Sequence, residues 1–162
     1  MSDMEENSKK SNWRRIQERS QSVADAHQRL DVLSDALDAI ENELGRVAPE
    51  LIYPYEKLIE LHHDLGEYDK VVRLLPAYYL VLEMNCYMDD IERLLLAVEK
   101  MREQGYLHEA MMACCRLVYL LYESVQVKSQ LMDDAWYLLD ELHKEHPDVN
   151  AKKLLKNLSR KA

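Results

Sequence analysis

Phenylalanine is absent from this 162-residue chain, and glycine occurs three times, proline four times and cysteine three times. Each scarcity narrows the fold and the chemistry. β-Hairpins consume turn residues, so a chain this poor in Gly and Pro is expected to be all-α, with long helices and few short loops. Cys86 and the adjacent Cys114 and Cys115 make no disulfide framework, because neighbours in sequence rarely bridge each other. The longest apolar run, Leu74 to Leu82, is nine residues and is interrupted by Pro76, well below the roughly 18 that a membrane span needs. Residues 1–12 are polar and lack the apolar core of a secretory signal. With thiols that suit a reducing compartment, this predicts a cytoplasmic location. Cations are scarce as well. The formal charge is -9, and residues 51–146 hold nine Lys+Arg against eighteen Asp+Glu, the reverse of the basic stripe a nucleic-acid reader needs. There is no glycine-rich phosphate loop and no Ser or Cys nucleophile beside a placed base, so the expectation is a non-enzymatic protein that uses no cofactor and no metal.

What the chain does contain is helical periodicity. Residues 1–11 are rich in Glu, Ser, Asn and Lys and are expected to be disordered. From 12 to 45, Ile16, Val23, Leu30, Leu37 and Leu44 recur every seventh residue, with Ala26, Leu33 and Ile40 between them. That is an a/d seam and predicts one long helix ended by Gly45 and Pro49. Two uses of the seam stay open. Ile16, Val23, Leu30, Leu33, Leu37 and Ile40 either pair with a second chain, making a homo-oligomer through 12–45, or cover the end of the helices that follow.

Residues 51–162 are read as three helical hairpins. The first has arms 54–65 and 67–83 hinged at Gly66, with Pro76 expected to kink the second arm. The second opens at a cap near Asp89 and Asp90, with arms 90–104 and 107–122 hinged at Gly105. After a polar break at 124–130, a third arm from about Ser129 to His146 turns at Pro147 into a short helix over 149–159. The basic run of that helix complements its dipole.

Gly66, Tyr68 and Val71 at the first turn, Gly105, Leu107 and Ala110 at the second, and Ala135, Trp136 and Leu139 at the start of the third unit resemble tetratricopeptide repeats. The resemblance covers about 51–158. It departs from that family in the spacing of its turns and in having Pro147 where glycine is expected. It implies a TPR-like right-handed stack with a groove lined by the first helix of each hairpin, holding a peptide or a partner helix. Carried over position by position, the groove residues are Tyr53, Glu56, Glu60, His63 and Asp64; Glu92, Leu95, Glu99, Arg102 and Glu103; and Asp134, Tyr137, Glu141, Lys144 and Glu145. Nine of these fifteen are carboxylates, so the implied ligand is basic and is held by charge complementarity, with tyrosines as anchors. The alternative is a solvated charged face. Small acidic proteins of bacterial secretion systems, which chaperone their cargo, are similar in size, charge and repeat count; the function so implied is that of an adaptor or chaperone.

Other constellations have simpler readings. Glu60 and His63 have the Glu-x-x-His spacing of carboxylate-bridged metal sites, but the nearest second copy, Asp140 and His143, is imperfect. Cys114 and Cys115 are expected in the core, as are most of the methionines. Tyr78, Tyr79, Tyr119 and Tyr122 are expected to bury their rings and carry the hydroxyl to a rim acceptor.

Overall fold

The computed structural model of the chain describes residues 12–86, 91–123 and 129–147, together with 153 and 156. The described residues are helical, without a strand. Seven α-helices run over Asn12–Ser22 (α1), Ala26–Leu44 (α2), Ile52–Asp64 (α3), Tyr68–Met84 (α4), Ile91–Glu103 (α5), Leu107–Glu123 (α6) and Ser129–Glu145 (α7), with a 3-10 turn at Pro49–Leu51 before α3. No described helix is long and apolar enough to cross a membrane. The expected tail of 1–11, the cap at Asp89 and Asp90 and the terminal helix over 149–159 lie outside the described residues. The chain divides into two compact units, Met1–Asn85 and Cys86–Ala162.

In the first unit the single helix expected over 12–45 is two helices. The chain leaves α1 after Ser22, and Asp25 restarts it as the N-cap of α2, its carboxylate accepting from the backbone N–H of His27 at 2.8 Å and of Gln28 at 3.4 Å. Such a cap satisfies donors that a helix start otherwise leaves orphaned. Arg29 closes the other side of the break, donating from Nε and Nη2 to the Val23 carbonyl at 3.1 and 2.7 Å. The heptad phase runs through this break unchanged, which is why periodicity alone reads it as continuous. α1 folds back on α2, and α2 packs on α3. Leu30, Leu33, Leu37 and Ile40 thereby share a core with Trp13, Leu51, Tyr55 and Leu58, and Ile16 packs at its edge. The seam is filled from within the chain; Val23 sits half-buried in the connection and Leu44 is 47 % exposed.

The first two hairpins follow the expected arms closely. Gly66 and Gly105 stand at the α3–α4 and α5–α6 turns with φ of 74° and 90°, left-handed backbone that glycine adopts without a Cβ penalty. Pro76 lies inside α4. In the second unit α6 packs on both α5 and α7, and α5 also touches α7. Cys114 is fully buried there, its thiol donating to the Ala135 carbonyl at 3.6 Å. Burial, with the neighbouring Cys115 adding to it, pushes that thiol far above its ordinary pKa, so it is an inert core group. Met101 and Met111 are buried, whereas Met84 and Met112 are exposed; Tyr79 is buried, whereas Tyr119 faces solvent. Tyr78 meets its expectation, tilted against Tyr55 at 6.3 Å and donating its hydroxyl to Glu56 at 2.8 Å.

Candidate functional site

Helix α3 presents the first set of candidate residues. Glu56 and Glu60 are exposed and His63 is half-buried, while Asp64 is the exposed last residue of the helix. Several already have partners within the unit. Glu56 holds Tyr78, Glu60 lies 3.6 Å from Lys57, and His63 meets Tyr68 edge-on at 5.4 Å. Tyr53, expected to be a groove anchor, lines a cavity of about 240 Å³ together with Ser20, Gln21, Arg29, Leu33 and Lys57. Three helices build that cavity, and no sequence spacing brings them together; it exists because α1 folds back.

In the second unit two candidate rows are neighbours. Arg102, near the end of α5, donates from Nε to Glu145 of α7 at 2.9 Å, with a further Nη2 contact to the same carboxylate, and lies 3.9 Å from Glu141. Lys144 reaches Asp140 and Glu141 at 3.3 Å. Hydrogen bonds to these carboxylates raise the pKa of both Arg102 and Lys144 above their ordinary values. The C-terminal ends of α5 and α7 therefore lie side by side, and four positions that the resemblance assigns to one groove meet in one ion-pair network. Glu92 and Glu103 are exposed, Glu99 is half-buried, and Asp134 is exposed, accepting from Gln130 at 2.9 Å. Among the assigned positions of this unit, six carboxylates stand against two cations, so the face stays acidic after its internal pairs form.

One assigned residue is misplaced. Leu95 is buried at 8 % exposure and belongs to the core, while its neighbour Leu96 is 63 % exposed. Leu96 follows Glu92 by four residues and precedes Glu99 and Glu103 by three and seven, so all four share one helical face. Tyr137, at 67 % exposure, holds the matching place on α7 between Asp133 and Glu141. Each row thus carries one exposed apolar residue among carboxylates. The spacing of Leu96 was readable in the sequence; the choice among Leu94, Leu95 and Leu96 was not.

Among the described residues no group of three His, Cys, Asp or Glu side chains is placed to hold a metal ion. Instead, His146 packs edge-on against His108 at 5.7 Å. No protein-family model matches this chain, and comparison with curated proteins finds no match.

Proposed function

We propose that the protein is a non-enzymatic binding module, an adaptor or chaperone whose TPR-like hairpins offer acidic rows to a basic peptide or partner helix. The observation that supports this reading is the juxtaposition of α5 and α7 through Arg102, Glu141 and Glu145. It sets two carboxylate-rich rows on adjacent helices, each with an exposed apolar residue, Leu96 or Tyr137. A basic ligand gains from both features: charge steers and orients it, and the apolar residues supply contact area that charge alone lacks. The alternative, a scaffold assembled through residues 12–45, has less support, because Leu30, Leu33, Leu37 and Ile40 are buried inside their own unit.

The test uses a fluorescein-labelled peptide of alternating Lys and Leu, titrated with the full chain and followed by anisotropy. Glu99→Lys with Glu103→Lys is expected to weaken binding at least about tenfold while the melting temperature holds. Asp35→Lys with Asp38→Lys changes the net charge by the same amount on exposed positions of α2 and is expected to change binding less than about twofold. Equal losses from the two double variants would mean that net charge, and no particular face, attracts the peptide.

A further inference from the structure

We propose that the cavity between α1, α2 and α3 is a binding site for a small carboxylate that carries an apolar group. Ser20 and Gln21 come from the last turn of α1, Arg29 and Leu33 lie one turn apart on α2, and Tyr53 and Lys57 lie one turn apart on α3. In a chain of charge -9 this cavity is lined by two cations and no carboxylate. Its volume, about 240 Å³, is room for about eight waters and lies below the ~300 Å³ at which drug-sized sites begin. The occupant is therefore one small acid or one chain-terminal residue.

The lining sets the chemistry of that occupant. Leu33 is 1 % exposed and closes the floor of the cavity, so the apolar surface open to an occupant is that of the Tyr53 ring and the aliphatic stems of Arg29 and Lys57. The Arg29 guanidinium spends two of its N–H groups on the Val23 carbonyl. A guanidinium has about five such donors, so about three remain, enough for a two-pronged contact with a carboxylate. Because the Val23 carbonyl already holds Arg29, little side-chain freedom is lost when a ligand arrives. Lys57 extends over the Tyr53 ring, its ammonium 5.9 Å from the centroid. The Tyr53 hydroxyl receives a long contact from Gln21 Nε2 at 3.5 Å, which leaves its own hydrogen to donate. Glu60, 3.6 Å from Lys57, offsets part of that cation's charge. The surplus is then about one positive charge, which suits a monoanion better than a phosphate dianion.

The 162-residue chain, labelled with nitrogen-15, is titrated with N-acetyl-leucine, 4-methylpentanoate, N-acetyl-leucinamide and inorganic phosphate, reading amide shifts. Expected are saturable shifts at Ser20, Gln21, Arg29 and Tyr53 from the two carboxylates, with a Kd on the order of millimolar, and none at these amides from leucinamide. Lys57→Gln, at a side chain 45 % exposed, is expected to leave the melting temperature within a few degrees of wild type and to weaken binding at least about threefold, and Glu60→Gln to tighten it. Tighter binding of N-acetyl-leucine than of 4-methylpentanoate would assign the site to a chain terminus; the reverse order would assign it to a free acid. Equal shifts from the amide, a Kd unchanged in Lys57→Gln, or phosphate binding tighter than either carboxylate overturns the proposal. This site shares no tested residue with the acidic rows of α5 and α7, so the two readings fail separately.

Discussion

Gly66 and Gly105 show what a single residue contributes. A Cβ built at either meets no atom within 4 Å, yet both hold left-handed backbone. Alanine there would cost only the conformational term, about 1–2 kcal/mol, and asparagine less, since it tolerates this region. Urea unfolding of Gly66→Ala and Gly66→Asn checks both the size and the order. One residue beyond the same turn, Glu67 accepts from Lys70 Nζ at 2.7 Å and lies 3.2 Å from His62 Nδ1. Lys70 first, then His62, holds the Glu67 carboxyl below its ordinary 4.5. A carboxyl whose pKa falls on folding adds stability above its unfolded value and loses it as pH drops through the folded one. Wild type is therefore expected to melt above Glu67→Gln at pH 7, with the gap closing as the pH falls from about 4.5 downward. A gap that persists at pH 2 would show that Glu67 acts by something other than its charge.

At the scale of the element, the heptad segment separates pattern from packing. Leu33 and Leu44 belong to the same repeat, but Leu33 is 1 % exposed and Leu44 is 47 % exposed. Leu33→Ala is expected to cost about 2–5 kcal/mol through lost burial and the cavity left behind, whereas Leu44→Ala stays within about 0.5 kcal/mol. Comparable values for the two would mean that the buried face of α2 extends to its C-terminal end. Asp25→Ala removes the N-cap of α2 and is expected to cost about 1 kcal/mol, measured by denaturant titration. The Arg102 network between α5 and α7 contributes orientation more than stability. Arg102, Glu141 and Glu145 are 27–38 % exposed and Lys144 is 65 % exposed, and pairs of that kind are worth under about 1 kcal/mol and less in salt.

For the whole molecule, the two units have separate consequences. The core of Trp13, Leu30, Leu33, Leu37, Ile40, Leu51, Tyr55, Leu58 and Val81 is drawn from the first unit alone. A chain of residues 1–85 is therefore expected to keep its helical circular dichroism and to unfold cooperatively. A broad, featureless melt would show that this core needs residues beyond Asn85. The net charge of -9 bears on association more than on fold: binding of a basic peptide is expected to weaken steadily as ionic strength rises.

The helices, the hairpin turns and the acidic balance of the surface were determined by the sequence itself. The arms read over 54–65, 67–83, 90–104 and 107–122 end within about two residues of α3, α4, α5 and α6, because apolar period and glycine punctuation are local signals. Other features were decided only by tertiary structure. The heptad phase of 12–45 passes undisturbed through Val23 and Asp25, so a bent and a straight chain carry the same pattern; folding back buries Trp13 and places Arg29 on the Val23 carbonyl. Packing within the second unit decides that Leu95 turns inward and Leu96 outward. The cavity at Tyr53 and the contact of Arg102 with Glu145 join residues that are 33 and 43 positions apart in the chain. Periodicity reports which way a side chain faces along its own helix, and it carries no information about which helix stands opposite.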